Sequence, residues 1–365
     1  MRLLCSLLLM VLSSAAWPQS TATDYFKRGF DEYNNHDYDR AIADFTQVIR
    51  MTPRDSAAFY NRGISFEGKK DYDSAIQDLT EALRLKPGYL EALVSRGNSY
   101  DDKGDRDRAI QDYSEAMRLD PTYVPAYMER GLTYTRKKEY DLAIQDYNQA
   151  IRLNPNSPEA FRKRGDAYDW KNDYDHAIQD YNEAIRLKPT FTEALINRGR
   201  AYYYGKKDNE LAIQDFTQAI RLDPSNAFAF SNRGRAYYYG KKDYDHAIQD
   251  LSDAIRLKPT DKAVFVDRGN AYDDKGEHDL AIQDYTQAIR LDPAYVAPYL
   301  ERGILFSRKK DYVRAIQDFT EAIRLDPNNA RAFYQRGLSK QKAGDTSSGD
   351  ADIARARQID PKIGQ

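Results

Sequence analysis

Small and apolar residues recur along the chain at helical spacing, in short pairs of segments separated by polar turns. In one such pair, Leu93, Gly97 and Tyr100 lie three and four residues apart, and Ala109 and Tyr113 resume this spacing after the turn. Apolar side chains at i, i+3 and i+4 share one face of an α-helix. The pattern therefore predicts two short amphipathic helices joined by a turn.

This helix pair repeats at a fixed period, which is marked by an Arg-Gly dipeptide. Its glycines are Gly29, Gly63, Gly97, Gly131, Gly165, Gly199, Gly234, Gly269, Gly303 and Gly337. The spacing is 34 residues except for two steps of 35, so ten repeats fill residues 22–363, with repeats six and seven one residue longer. They leave a polar lead at 17–21 and a tail at 364–365. A helix pair this short cannot bury its apolar stripe alone, so the repeats must stack.

Three further positions recur in phase with the glycines. A large residue stands four positions before each glycine. In nine repeats an alanine follows the glycine by twelve positions, or by thirteen in repeats six and seven. In all ten repeats a proline follows the glycine by twenty-four positions, or by twenty-five in repeats six and seven. The large residues are Tyr25, Phe59, Leu93, Tyr127, Phe161, Leu195, Phe230, Phe265, Tyr299 and Phe333. The chain thereby resembles the tetratricopeptide repeat family. The resemblance implies an all-α, right-handed solenoid superhelix whose groove, lined by the first helix of each repeat, holds peptides or partner proteins.

The first sixteen residues have the features of a secretory signal peptide. Arg2 precedes an apolar run over residues 3–12, and the small residues at 13–16 follow it. The run is too short to span a bilayer, and the pattern predicts cleavage after Ala16 and a periplasmic or secreted mature protein. The alternative is a helix that belongs to the fold. Cys5 is the only cysteine, so cleavage would leave a chain with no thiol for disulfides, catalysis or metal binding.

The composition suits an elongated scaffold. Mean hydropathy is −0.81, and 31% of the residues are charged, which favours a thin fold in which every repeat keeps an exposed face. The net charge of −2 gives no basis for binding nucleic acid or an anionic membrane surface. We expect no membrane insertion once the signal peptide is removed.

An arginine precedes every repeat glycine, on the packed face of the first helix, where the family usually has an apolar residue. An aspartate recurs equally regularly on the flank of the second helix. Because an unpaired buried charge is costly, we predict a ladder of Arg–Asp pairs, one per repeat. In the middle of the chain its members are Arg96, Asp112, Arg130, Asp146, Arg164 and Asp180. The alternative is that the arginines form an anion-binding row.

Repeats six and seven each contain the sequence Tyr-Tyr-Tyr-Gly-Lys-Lys-Asp. The second and third tyrosines fall where the family lines its groove, and an Asn and an Arg lie shortly before them. Aromatic, guanidinium and amide groups are the mixture enriched at binding hot spots. The predicted ligand groove consists of Asn197, Arg200, Tyr203, Tyr204, Asn232, Arg235, Tyr238 and Tyr239. The alternative is that the tyrosines only pack along a lengthened helix end.

A longer duplication is superimposed on the repeats. Residues 97–140 match residues 269–312, which predicts acidic patches in the grooves of repeats three and eight.

Catalytic and metal-binding patterns are not found in the sequence. The four histidines lie at or near turns of different repeats, without a nucleophile pair or a His-x-x-x-His spacing. We therefore expect a non-enzymatic scaffold without cofactor or metal that binds proteins or peptides. The alternative is an envelope assembly factor that binds glycan or peptidoglycan fragments through its tyrosines and acidic patches.

Overall fold

The computed structural model describes residues 21–364. In this range the chain forms twenty helices and no strands, and the helices follow one another as ten helix-turn-helix pairs. The prediction of an all-α solenoid of ten repeats is thereby confirmed. The predicted signal peptide, residues 1–16, lies outside the described residues, as does the polar lead apart from Thr21.

The chain divides after Asn156 into two compact units, which we call the N-terminal unit and the C-terminal unit. The helices of the N-terminal unit are α1 (Ala22–Asn34), α2 (Tyr38–Met51), α3 (Ser56–Gly68), α4 (Tyr72–Leu85), α5 (Leu90–Asp102), α6 (Arg106–Leu119), α7 (Val124–Arg136) and α8 (Tyr140–Leu153). The C-terminal unit contains α9 (Pro158–Trp170), α10 (Tyr174–Leu187), α11 (Thr192–Arg200), α12 (Asn209–Leu222), α13 (Ala227–Arg235), α14 (Tyr244–Leu257), α15 (Lys262–Lys275), α16 (His278–Leu291), α17 (Val296–Arg308), α18 (Tyr312–Leu325), α19 (Ala330–Lys342) and α20 (Thr346–Ile359).

The turn inside each repeat is made by local sequence signals. One turn residue adopts the left-handed conformation, as Gly104 does with φ 89° and Lys310 with φ 64°. An aspartate then caps the second helix of most repeats: Asp105 Oδ1 accepts a hydrogen bond from the backbone N–H of Arg108 at 3.2 Å. This bond satisfies one of the N–H groups that the first turn of a helix leaves free.

Within each repeat the two helices pack closely because the glycine has no side chain. A Cβ atom on Gly97 would lie 2.5 Å from Cε1 of Tyr113, whose side chain is fully buried. Ala109, on the facing helix, is also completely buried. The repeated Gly and Ala therefore let the aromatic ring of α6 lie directly against the backbone of α5.

A row of exposed ion pairs also joins successive repeats along the turns, and the sequence analysis missed it. In seven repeats a lysine near the end of the first helix contacts an acidic residue at the start of the second helix of the preceding repeat. The pairs are Lys69–Asp39, Lys103–Asp73, Lys137–Asp107, Lys206–Asp175, Lys241–Glu210, Lys275–Asp245 and Lys309–Asp279. Such exposed pairs contribute little to stability, because water and salt screen the attraction between the charges.

Candidate ligand-binding face

The extra residue of repeats six and seven is absorbed by a π-helical turn at the end of the first helix. These turns span Ala201–Lys206 and Ala236–Lys241, and each ends at a lysine in the left-handed conformation. A Cβ on Gly205 would lie 2.2 Å from Cγ of Tyr174, so this glycine permits contact with the preceding repeat. Single π-helical turns inside α-helices are frequent at functional sites because they redirect neighbouring side chains.

The two predicted tyrosine pairs are formed by these turns. The rings of Tyr203 and Tyr204 meet edge to face with centroids 4.7 Å apart, and those of Tyr238 and Tyr239 with centroids 4.4 Å apart. The first ring of each pair is half-buried, whereas Tyr204 is 43% and Tyr239 54% exposed. Each pair thus supports an outward-facing ring on an inner one, a geometry that aromatic quadrupoles favour.

In repeat seven, neighbouring residues already occupy the polar groups of the predicted site. Arg235 Nε donates to Asp267 Oδ2 at 2.7 Å, and the Tyr239 hydroxyl lies 3.4 Å from the other oxygen of that carboxylate. The Tyr238 hydroxyl donates to Asp274 at 2.7 Å. Asn232 is only 3% exposed and donates to the carbonyl of Phe228. The Asn232 side chain is therefore not accessible to a ligand in the groove.

The pKa shifts in this part of the face agree with its partial burial. Burial raises the pKa of Asp267, although the nearby Arg235 charge opposes that rise. Burial likewise raises the pKa of Tyr203 to about 12. The tyrosine hydroxyls consequently remain protonated at neutral pH and can donate hydrogen bonds.

Repeat six differs from repeat seven because most of its polar groups remain available. Asn197 Nδ2 donates to Asp166 Oδ1 at 2.7 Å. Among the described residues, however, the Arg200 guanidinium has no ion-pair partner, and the hydroxyls of Tyr203 and Tyr204 have no hydrogen-bond partner. In the described part of the chain, Arg200, Tyr203 and Tyr204 of repeat six therefore keep their polar groups free, whereas Asn197 is bonded to the preceding repeat.

The structure adds two residues that the sequence analysis missed, both at the end of α9 in repeat five. Trp170 is 62% exposed, and Asp169 beside it is half-buried. Trp170, Tyr204 and Tyr239 stand at the same position of three successive repeats, five residues after the repeat glycine. This shared position was the signal in the sequence that could have identified Trp170. We call these three residues the aromatic row.

The repeated arginines and aspartates meet within each repeat. Arg96 binds Asp112 through two parallel hydrogen bonds of 2.8 and 2.7 Å. The corresponding distances are 2.8 and 2.7 Å for Arg130 with Asp146 and 2.8 and 2.6 Å for Arg164 with Asp180. The other pairs are Arg28–Asp44, Arg62–Asp78, Arg198–Asp215, Arg233–Asp250, Arg268–Asp284, Arg302–Asp318 and Arg336–Asp352.

Many of these arginines also reach the preceding repeat. Nη1 of Arg96 donates to the Thr80 hydroxyl at 3.1 Å, and Nη1 of Arg130 donates to the Ser114 hydroxyl at 2.8 Å. The guanidinium therefore joins both helices of its own repeat to the second helix of the repeat before it. An arginine held by three such bonds is not free to bind a soluble anion.

Within residues 21–364, no group of three or more His, Cys, Asp or Glu side chains is arranged to hold a metal ion. None of the helices in the same range is long and apolar enough to cross a membrane.

Two of the histidines stack on tyrosine rings of their own repeats. His176 stacks on Tyr168 with ring centroids 5.0 Å apart, and His246 stacks on Tyr237 with ring centroids 5.1 Å apart.

Stacked helix pairs, in which a glycine of the first helix lets a large side chain of the second helix pack against it, define the class of helical-repeat scaffolds. A profile described as TPR repeat matches residues 97–138, 131–169, 171–205, 203–240, 269–310 and 305–344, which is more than half of the chain. Two profiles described as tetratricopeptide repeat match residues 26–89 and 229–261. The chain therefore belongs to the tetratricopeptide repeat family, whose fold is typical of protein-binding adaptors.

Solved structures agree with this assignment. One is the C-terminal part of a TPR repeat-containing protein from Cytophaga hutchinsonii, with 21% identity, a TM-score of 0.54, and coverage of 66% of this chain and 98% of that one. Another is a tetratricopeptide repeat protein from Parabacteroides merdae, with 19% identity, a TM-score of 0.54, and coverage of 72% and 98%. At these identities the likeness shows the fold alone. No curated protein matches the chain significantly.

Proposed function

We propose that this protein is a non-enzymatic scaffold that binds extended segments of partner proteins through the first helices of repeats five to seven. The observation that carries the proposal is the aromatic row: three exposed rings at one position of successive repeats. Exposed aromatic side chains supply contact area at low entropic cost and are enriched at the centres of protein interfaces. The family's typical use as a protein-binding adaptor supports the same function.

Several further properties belong to this proposal. The ten repeats account for residues 22–363, which leaves a catalytic domain no room within them and favours a scaffold without cofactor. The N-terminal pattern supports removal of residues 1–16 and a periplasmic or secreted location. The near-neutral net charge of −2 argues against nucleic acid as a partner.

A second candidate function is the binding of envelope glycan or peptidoglycan fragments. The exposed indole of Trp170 favours it, because a flat amphipathic ring with a free N–H can lie against a sugar ring as well as against a peptide. The two candidates differ in ligand but share the aromatic row.

The test uses the chain from residue 17 onwards, with immobilised 12-residue peptides and muropeptides as probes. We expect peptides to bind, and Tyr204→Ala/Tyr239→Ala to weaken that binding at least about tenfold, because each ring removed from an interface centre costs roughly 1–2 kcal/mol. Leu211→Ala/Leu280→Ala removes two exposed side chains from second helices and is the matched control. Helical circular dichroism checks that each variant is folded. Equal peptide binding by both double variants would contradict the proposed site, and binding of muropeptides alone would favour the second candidate.

A further inference from the structure

Four arginines on the first helices of the C-terminal unit pair with acidic residues that also lie on first helices. The arginine pairs are Arg162–Asp166 at 2.6 Å, Arg235–Asp267 at 2.7 Å, Arg308–Asp273 at 2.9 Å and Arg331–Glu301 at 2.7 Å. Arg200 and Asp169 differ: within the described part of the chain, neither side chain has an ion pair or a hydrogen bond. Both side chains are half-buried. This face therefore contains two opposite charges that are not in direct contact.

The two groups lie close enough to influence each other. Burial raises the pKa of the Asp169 carboxyl, and the Arg200 charge is the main influence that opposes this rise. Charges that are near but not in contact leave their hydrogen-bonding capacity unused. The space between them is therefore polar on both sides and electrically neutral overall.

Other repeats show why Asp169 has no arginine partner. Asp101 and Asp273 occupy the same helical position as Asp169, four residues after the repeat glycine. Each of them is bound by an arginine on the next first helix, Asp101 by Arg136 and Asp273 by Arg308.

At the equivalent position next to Asp169, five residues after Gly199, the chain has Tyr204 instead of arginine. Replacing an arginine by tyrosine removes the internal partner of Asp169 and adds an exposed ring. The same substitution thus frees a carboxylate and builds the aromatic row.

We propose that Arg200 and Asp169 bind a main-chain amide of an uncharged, extended peptide segment, whose N–H donates to Asp169 and whose C=O accepts from Arg200. An anionic ligand would satisfy Arg200 and be repelled by Asp169, and a cationic ligand would meet the reverse problem. A neutral amide satisfies both groups and is the complementary ligand. Trp170, next to Asp169, and Tyr204, one turn after Arg200, offer apolar rings to the flanking side chains of the segment. This inference rests on the proposed function, since it names the ligand chemistry of the same face.

The test exploits Trp170, because the chain has two tryptophans and Trp17→Phe leaves this one as a fluorescent reporter in the site. The probes are 12-residue peptide libraries that are neutral, acidic or basic, a neutral library with methylated backbone nitrogens, and N-acetylglucosamine oligomers. We expect neutral peptides to change the Trp170 emission and bind best. Backbone methylation should weaken them about tenfold, because hydrogen bonds to charged groups are lost.

Substitutions should then change the preferred charge of the ligand. Asp169→Asn leaves Arg200 unopposed and should favour acidic peptides by about tenfold, whereas Arg200→Gln should favour basic peptides by a similar factor. The double variant should again prefer neutral peptides, with weaker binding. Arg324→Gln, on the exposed face of α18, is the control and should leave the preference unchanged. Circular dichroism confirms folding of each variant.

Two results would overturn the inference in distinguishable ways. Peptide binding that depends on Tyr204 and Tyr239 but keeps the same charge preference in the Asp169 and Arg200 variants would refute the amide site and leave the proposed function standing. Failure of every peptide library to bind the parent protein would refute both. Binding of the N-acetylglucosamine oligomers alone would identify a glycan ligand and would also overturn the peptide assignment.

Discussion

The Arg–Asp pairs make a quantitative prediction, which Arg302 and Asp318 allow us to work out. Arg302 binds Asp318 through bonds of 2.9 and 2.7 Å, and its third nitrogen donates to Thr286 at 2.9 Å. The two side chains are only 17% and 8% exposed. Arg302→Met would leave the buried Asp318 carboxylate without its cation. Breaking a buried pair from one side costs about 3–5 kcal/mol, because the remaining charge stays desolvated and uncompensated.

Removing both charges should cost less than removing one. In Arg302→Met/Asp318→Leu no carboxylate is left buried, and replacement of a buried ion pair by apolar residues is often nearly neutral. The matched control is Arg324→Met, in the same α18 helix, where Arg324 pairs with Glu321 at 2.6 Å with side chains 64% and 34% exposed. Loss of such a surface pair should change stability very little, because water screens the attraction between the charges.

Native-state hydrogen exchange is the suitable assay, since long repeat arrays open locally and a single unfolding free energy does not describe them. Amides of α17 and α18 should exchange roughly a hundredfold to several thousandfold faster in Arg302→Met, as the 3–5 kcal/mol cost implies. The double variant should exchange much more slowly than this single variant. The reasoning is refuted if Arg302→Met exchanges at the rate of the Arg324→Met control, or if the double variant opens more readily than the single one.

Two further predictions concern the N-terminal unit and the packing inside a repeat. Burial, with Asp102 and Glu129 nearby, raises the pKa of Glu67 to about 7. The folded state therefore keeps a proton that the unfolded chain releases from about pH 4.5 upwards. The free energy of unfolding should consequently fall by up to roughly 3 kcal/mol as the pH rises to about 7. Thermal unfolding at pH 5 and pH 8 should show a larger drop for the parent than for Glu67→Gln, and equal drops would contradict this. A Cβ on Gly303 would lie 2.7 Å from Cε1 of Phe319, so Gly303→Ala should cost about 1–3 kcal/mol through overpacking. Unchanged hydrogen exchange in α17 would refute that estimate.

Much of the fold could be predicted from the sequence, because helix pairs depend on local patterns. The repeat glycine, the alanine of the second helix and the helical spacing of apolar residues indicate both helices of every repeat, and residues such as Gly104 mark the turns. The partners of the repeated arginines could be proposed for a similar reason. Each Arg and Asp is separated by 16 or 17 residues within one helix pair, so the same pairing is available in every repeat.

The candidate site could be predicted only in part. The tyrosine triplets were visible as an interruption of the period, yet their extra residue forms a π-helical turn that sequence spacing does not specify. Asn232 and Arg235 share helical positions with Asn197 and Arg200, but their surroundings differ. Asn232 is buried and bonded to a backbone carbonyl, and Arg235 is paired with Asp267 in the next repeat. Equivalent positions in the sequence therefore did not have equivalent chemistry.

By itself, the sequence determined the family, the number of repeats and the two helices of each. The tertiary structure decided which polar groups on the aromatic row's face are free. The physical reason is distance along the chain: a helix and its turn depend on residues within a few positions, whereas the partner of a face residue lies on the next repeat. Asp169 shows this directly. Among the described residues its carboxylate has no ion-pair partner, because the position 35 residues later, where Asp101 and Asp273 have an arginine, is Tyr204. Only the stacking of successive repeats brings side chains of the first helices of repeats five and six into contact.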